Sequence, residues 1–255
     1  VPSVNEIIDE LKNALETHGH LDVITLTANG EPTLYPELDA LVDAIIAIPN
    51  RPKLLILSNG STIMNPSIQK TLCKIDIVKL SLDCVSETCF KRLDRAHQGI
   101  RIEAIIEGMK QFRKRYCGEL VLEILVVATL NDTEEEFCRL NSVLHEINPD
   151  RIDLGTIDRP PAYDVKGVSI EKLIELSHCL TALPVNIAYK KNYIQEKRTF
   201  SEDEIIELLK RRPQSFEDIR LCFDDVSLQH LEALLEKKRL FVKKIAGVDF
   251  YKVND

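Results

Sequence analysis

What most constrains this chain is a rhythm: six short apolar, β-branched runs alternate with segments of helical period over the first 190 residues. The runs are 21–27, 53–57, 77–82, 120–129, 151–157 and 185–189. Between them, apolar residues recur at three- and four-residue spacing, and Ser3 to Glu6 and Thr133 to Glu136 have the form of helix-opening capping boxes. Strands separated by helices of about 10–15 residues imply parallel β-α units with right-handed crossovers. A (β/α) barrel and an open doubly wound sheet both satisfy that pattern, and periodicity does not separate them.

The rhythm stops near Lys190. Residues 191–198 are polar and read as a linker, and 199–255 read as three short helices followed by a hairpin. Three helices and a hairpin form the winged-helix pattern, a variant of helix-turn-helix. The expected organisation is thus a barrel-type domain over 1–190, a linker over 191–198 and a winged-helix-like domain over 199–255.

Net charge is −8, so no global field draws the chain to nucleic acid or to an anionic membrane. The last 57 residues carry 12 acidic and 10 basic side chains, with Lys237, Lys238, Arg239, Lys243 and Lys244 clustered near the expected wing. Nucleic-acid readers are usually basic, so a protein partner is the favoured expectation for this module and tRNA the alternative. No apolar run reaches the roughly 20 residues of a membrane span, and a cytoplasmic location is expected. Seven scattered cysteines, none spaced C-x2-C, argue for reduced thiols acting as small buried hydrophobes.

In parallel α/β folds, ligands collect at the carboxyl ends of strands. Here those ends are polar: Asn29-Gly30-Glu31-Pro32, Ser58-Asn59-Gly60, Ser81 with Asp83, Glu123 inside an apolar run, and Asp158-Arg159 through Tyr163. Each has a structural alternative. Gly30 could supply a positive φ, Asn59-Gly60 a tight turn, Asp83 a cap; Glu123 could pair with a neighbouring strand and Arg159 with Asp158. His97, in Arg95-Ala96-His97, reads as a solvated loop residue.

Together these segments resemble the radical S-adenosylmethionine (SAM) superfamily. Asn29-Gly30-Glu31-Pro32 resembles its Gly-Gly-Glu segment, Ser58-Asn59-Gly60 and Ser81-Leu82-Asp83 its second and third motifs, and Asn131-Asp132-Thr133 its turn after the fifth barrel strand. The Asp158–Tyr163 loop and the tail look closest to bacterial relatives of wyosine-base synthases, which modify a guanosine-derived base in tRNA. The resemblance implies a partial (β/α) barrel of TIM type lacking its first strand. It also implies SAM bound by Asn29, Gly30, Glu31, Pro32, Asn59, Ser81, Asp83 and Glu123, with Glu31 on the SAM ammonium and Arg159 and Tyr163 facing substrate. The family's [4Fe–4S] cluster is held by C-x3-C-x2-C ahead of the Gly-Glu segment, and no cysteine precedes Gly30 here. The expectation is therefore a fragment whose parent carries the cluster, inactive by itself, with no metal ligand of its own and with Val23–Thr27 left as a sheet edge. The rival reading is a non-catalytic regulator or scaffold that uses the winged helix.

Overall fold

The computed structural model describes residues 2–17, 21–28, 30–157, 164–187, 197–211, 213–245 and 248–254. They fall into two compact units: Val1–Ile157 with Asp164–Tyr189, and Asp158–Tyr163 with Lys190–Asp255.

The first unit is built on a six-stranded, wholly parallel sheet: β1 (Val23–Leu26), β2 (Lys53–Ser58), β3 (Ile77–Ser81), β4 (Glu119–Val126), β5 (Arg151–Thr156) and β6 (Val185–Ile187). Around it run α1 (Val4–Thr17), α2 (Leu38–Ile46), α3 (Pro66–Leu72), α4 (Glu87–Leu93), α5 (Ile102–Arg113), α6 (Glu134–Ile147) and α7 (Ile170–Ser177). The spatial order of strands is the sequence order, β1 through β6. A doubly wound sheet reverses direction at a switch point and covers both faces with helices; this sheet does neither. Leu54, Ile56, Val78, Leu80, Leu122, Ile124 and Leu154 share one core cluster with α2, α5, α6 and α7, whereas Leu55, Leu57, Ile77 and Val121, of opposite parity, lie outside it. Successive parallel strands with helices on one face are the winding of a barrel, here a partial one.

Two helix starts show how local chemistry fixes the frame. Ser3 and Glu6 form the expected reciprocal box, the Ser3 amide donating to Glu6 Oε2 at 2.7 Å and the Glu6 amide to Ser3 Oγ at 3.4 Å. At α6 only half the box forms: the Glu136 amide donates to Thr133 Oγ1, but the Glu136 carboxylate turns away and accepts from the Val85 and Ser86 amides at 2.8 and 3.0 Å. The helix start is thereby tied to the loop after β3.

Among the described residues β1 pairs only with β2, so Val23–Leu26 is an edge, with Val23 exposed. Helix α4 was not expected from the sequence; Ser86 caps it by accepting from the Cys89 amide. The cysteine expectation is corrected. Cys84 and Cys89 form a disulfide, and Cys73, Cys117 and Cys138 are exposed rather than buried. Spacing along the chain does not reveal that the turn from β3 into α4 folds the two thiols onto each other.

The second unit contains α8 (Glu202–Arg211), α9 (Phe216–Cys222) and α10 (Asp225–Glu236), with a three-stranded antiparallel sheet of β7 (Gln214–Ser215), β8 (Leu240–Ile245) and β9 (Val248–Val253) in the order β7-β9-β8. Its core is Ile205, Leu209, Phe223, Leu231, Leu234 and Leu240. Ser215 and Asp218 make a complete capping box, and Asp224 caps α10. Most of the expected linker lies outside the described residues. Among the described residues, no helix is long and apolar enough to cross a membrane.

Candidate functional site

The carboxyl ends of β1 and β2 are joined by one carboxylate. Glu31 Oε1 accepts from the Thr33 amide at 3.0 Å, from Thr33 Oγ1 at 2.6 Å and from Ser58 Oγ at 2.8 Å, while Oε2 accepts from the Asn59 amide at 2.8 Å. An ionised carboxylate offers about four lone-pair sites, so Oε1 is saturated and Oε2 retains room for one further donor. The Glu31 cap also opens the 3-10 turn Pro32–Leu34, with Pro32 and Thr33 buried beneath it. Asn59 Oδ1 accepts from the Ser61 amide at 2.9 Å, the local bond typical of an Asn turn, which leaves its amide nitrogen outward.

The two glycines at these ends differ. Gly60 has φ +72°, which favours glycine, and a Cβ there would sit 2.9 Å from Met109 Cε, so the tip of that side chain would also have to shift. Gly30 is not in the positive-φ region, and a Cβ on it would meet nothing within 4 Å. The reading of Gly30 as a φ > 0 turn residue is therefore set aside. Among the described residues, neither backbone nor packing requires a glycine at 30.

At the end of β3, Ser81 Oγ has no hydrogen-bond partner among the described residues. Asp83 Oδ1 accepts from the Leu125 amide at 2.7 Å, and the Asp83 carbonyl accepts from Asn131 Nδ2 at 2.8 Å. Asn131 is fully buried and also bonds the Leu125 carbonyl and the Val127 amide, locking the ends of β3 and β4 together. Burial of the Asp83 carboxyl pushes its pKa up to about 8, helped by the charges of Asp94 and Glu123.

One row of the sheet's helix-free face is polar. Ser81 registers with Glu123, Glu123 with Asp153, and Asp153 with Asn186. Lys79 bridges Glu123 Oε1 at 2.7 Å and Asp153 Oδ2 at 3.0 Å, and Asn186 and Arg151 also donate to Asp153. Burial opposes the charge on Lys79, but the two carboxylates outweigh it and hold the ammonium above its ordinary pKa. Asp153 is likewise pushed up by burial, then brought below the usual range by Asn186 and Lys79. Glu123 thus has the neighbouring-strand salt bridge its apolar setting suggested, and with 48% of its side chain exposed it is not a buried charge.

Gly30, Glu31, Asn59, Ser81, Asp83 and Glu123 therefore all lie on consecutive strands or just past their carboxyl ends. Asn29, Arg159 and Tyr163 lie outside the described residues. Sequence reasoning named Ser58 within its motif without giving it a role, and missed Thr33, which with Ser58 holds Glu31, and Lys79 and Asp153, which flank Glu123. A charged residue inside an apolar strand was the available signal for the last two, the same one that marked Glu123.

The residues' fit to the two expected groups differs. The strand ends present acceptors, among them Glu31 Oε2, and leave the surface beside Gly30 open, which suits a cationic ligand such as SAM. The seven cysteines do not fit a [4Fe–4S] cluster: none has the required spacing, and two are bonded to each other.

Residues 1–140 match the Radical SAM superfamily. The chain is 38% identical over 254 residues to a UPF0026 protein of Helicobacter pylori, an alignment covering 98% of this chain and 82% of that protein. It is 25% identical over 154 residues to the GTP 3',8-cyclase of Streptomyces coelicolor, covering 60% of this chain and 43% of that protein. A radical SAM methyltransferase from Sphaerobacter thermophilus superposes with a TM-score of 0.57 at 16% identity, over 73% of this chain and 56% of that one, a likeness of fold alone. Relatives at 38% and 31% identity are UPF0026 proteins, not wyosine-base synthases specifically. On the match over its first 140 residues and its likeness along nearly its whole length to the Helicobacter protein, the chain belongs to the radical SAM superfamily.

Proposed function

We propose that this chain supplies the SAM-binding side of a radical SAM enzyme, with SAM lying along the carboxyl ends of β1 to β4. Gly30 carries the reading. Among the described residues the fold does not need glycine there, and the space a Cβ would fill is where a ligand could lie against the backbone of Gly30. Glu31 Oε2 would accept from the SAM ammonium, a charge-assisted bond contributing about 1.5–3 kcal/mol. Asn59 Nδ2, Ser81 Oγ and Asp83 would meet the rest of the molecule. At neutral pH the Asp83 carboxyl is largely protonated and can donate as well as accept. Glu123, half exposed and steadied by Lys79, would complete the row.

SAM, when bound, would be the source of a carbon radical that takes hydrogen from a substrate; no step through a cluster is derived from the cysteines of this chain. The protein's own part is to fix and shield SAM. For the C-terminal unit we propose a winged-helix role in packing against protein. The tRNA-base substrate rests on the resemblance of residues 158–163 and is tested by tRNA binding.

Calorimetric titration with SAM tests the reading. Gly30→Ala should leave thermal stability unchanged, because its Cβ meets no protein atom, and should weaken SAM about tenfold or more, a loss of about 1.4 kcal/mol. Equal affinity in both proteins would remove Gly30 from the site.

A further inference from the structure

We propose that Cys84, Cys89 and Glu136 form a binding site for one zinc-class divalent cation, opened when the Cys84–Cys89 disulfide is reduced. The two sulfurs and a Glu136 oxygen lie within 4.8 Å of one another, and all three residues are buried, at 0%, 7% and 7% exposure. They come from three places in the fold: Cys84 from the loop after β3, Cys89 from α4 and Glu136 from the first turn of α6. Glu136 is fixed before any cation arrives, because Oε1 accepts from the Val85 and Ser86 amides. Its other oxygen has no hydrogen bond or ion pair among the described residues and stays available beside the two sulfurs.

The ligand chemistry selects the ion. Two thiolates with one carboxylate suit zinc in a tetrahedral site and do not suit magnesium or calcium, which take oxygen ligands. The Leu130 carbonyl, 3.6 Å from Cys89 Sγ, or a water would provide the fourth ligand.

The structure holds the oxidised form, with Cα atoms 5.8 Å apart. Reduction needs a small-thiol reductant of the glutathione class. Its thiolate attacks Cys89 Sγ, the less buried sulfur; the S–S bond breaks, a mixed disulfide forms and Cys84 leaves as thiolate. A second thiol attacks the mixed disulfide on the reductant's sulfur and frees Cys89. One disulfide and two thiols become two cysteine thiols and one small-molecule disulfide. The cation then displaces the remaining thiol protons to solvent. Either form braces the loop that follows Asp83, so the site sits beside the candidate SAM residues without depending on them.

The test uses the full chain, reduced anaerobically with a phosphine, freed of reductant and titrated with Co²⁺ as a coloured stand-in for zinc. The expected result is a thiolate-to-cobalt charge-transfer band saturating at one equivalent and bleached by Zn²⁺. The same protein left oxidised should show no band, nor should reduced Cys84→Ala/Cys89→Ala. Glu136→Gln should weaken the metal about tenfold or more. Cys89→Ala alone, with circular dichroism to confirm folding, guards against loss of structure in the double variant. No charge-transfer band in the reduced wild type would overturn the proposal. So would a band surviving the double substitution, which would assign the metal to exposed Cys73, Cys117 or Cys138.

Discussion

Glu31 and Gly30 are neighbours with opposite demands on the chain. Glu31 accepts four hydrogen bonds, so Glu31→Ala leaves the Thr33 and Asn59 amides and the Ser58 hydroxyl short of a partner. It should lower stability by about 1–3 kcal/mol. A loss of SAM binding in that variant would mix fold with function, whereas Gly30→Ala separates them. Chemical denaturation of Glu31→Ala measures the cost; an unchanged midpoint would mean that the bonds to Glu31 contribute nothing net. Asp83 gives a second residue-scale test. Its folded pKa, about 8, is raised above the ordinary 3.8, so its contribution to stability is full below about pH 4 and is lost as pH rises through 8. Asp83→Asn copies the protonated form and keeps the Leu125 bond. The variant should match wild type near pH 3 and exceed it at pH 9 by more than about 1.4 kcal/mol, the value of one pKa unit. A difference that stays constant with pH would place the Asp83 carboxyl in water.

The elements that the sequence made legible are those whose own residues carry the pattern. Helix α8 needs only its acidic first turn and apolar spacing, and β2, β3 and β5 are short runs bounded by polar residues. Helix α4 and strand β7 escaped notice because each is short and set by a cap and by tertiary pairing rather than by period. The choice between barrel and doubly wound sheet was equally hidden, since it lies in which strand neighbours which. The motif glycines and Asn59 could be read from the chain. The Lys79 bridge to Glu123 and Asp153 could not, because it joins three strands far apart in sequence. At this scale Gly60→Ala should be disruptive. It puts a side chain at φ +72° and drives a Cβ against Met109, so a loss above about 1 kcal/mol and a looser β2–α5 contact are expected. Hydrogen exchange on residues 58–64 would report it, and unaltered protection would contradict it.

Taken whole, the molecule pairs a partial barrel with a small unit of different architecture, and its net charge of −8 leaves no broad attraction to RNA. If the C-terminal unit faces protein, tRNA affinity should be weak and should fall only shallowly with salt. A steep decline, removed by neutralising Lys237, Lys238, Lys243 and Lys244, would assign that unit to RNA instead. The central claim is that SAM lies along the carboxyl ends of β1 to β4, and amide chemical shifts during a SAM titration of isotope-labelled protein read it most directly. The account predicts saturable shifts concentrated at Gly30, Asn59, Gly60 and the residues around Asp83 and Leu125, with the C-terminal unit unmoved. Shifts confined to the C-terminal unit, or none at saturating SAM, would contradict it.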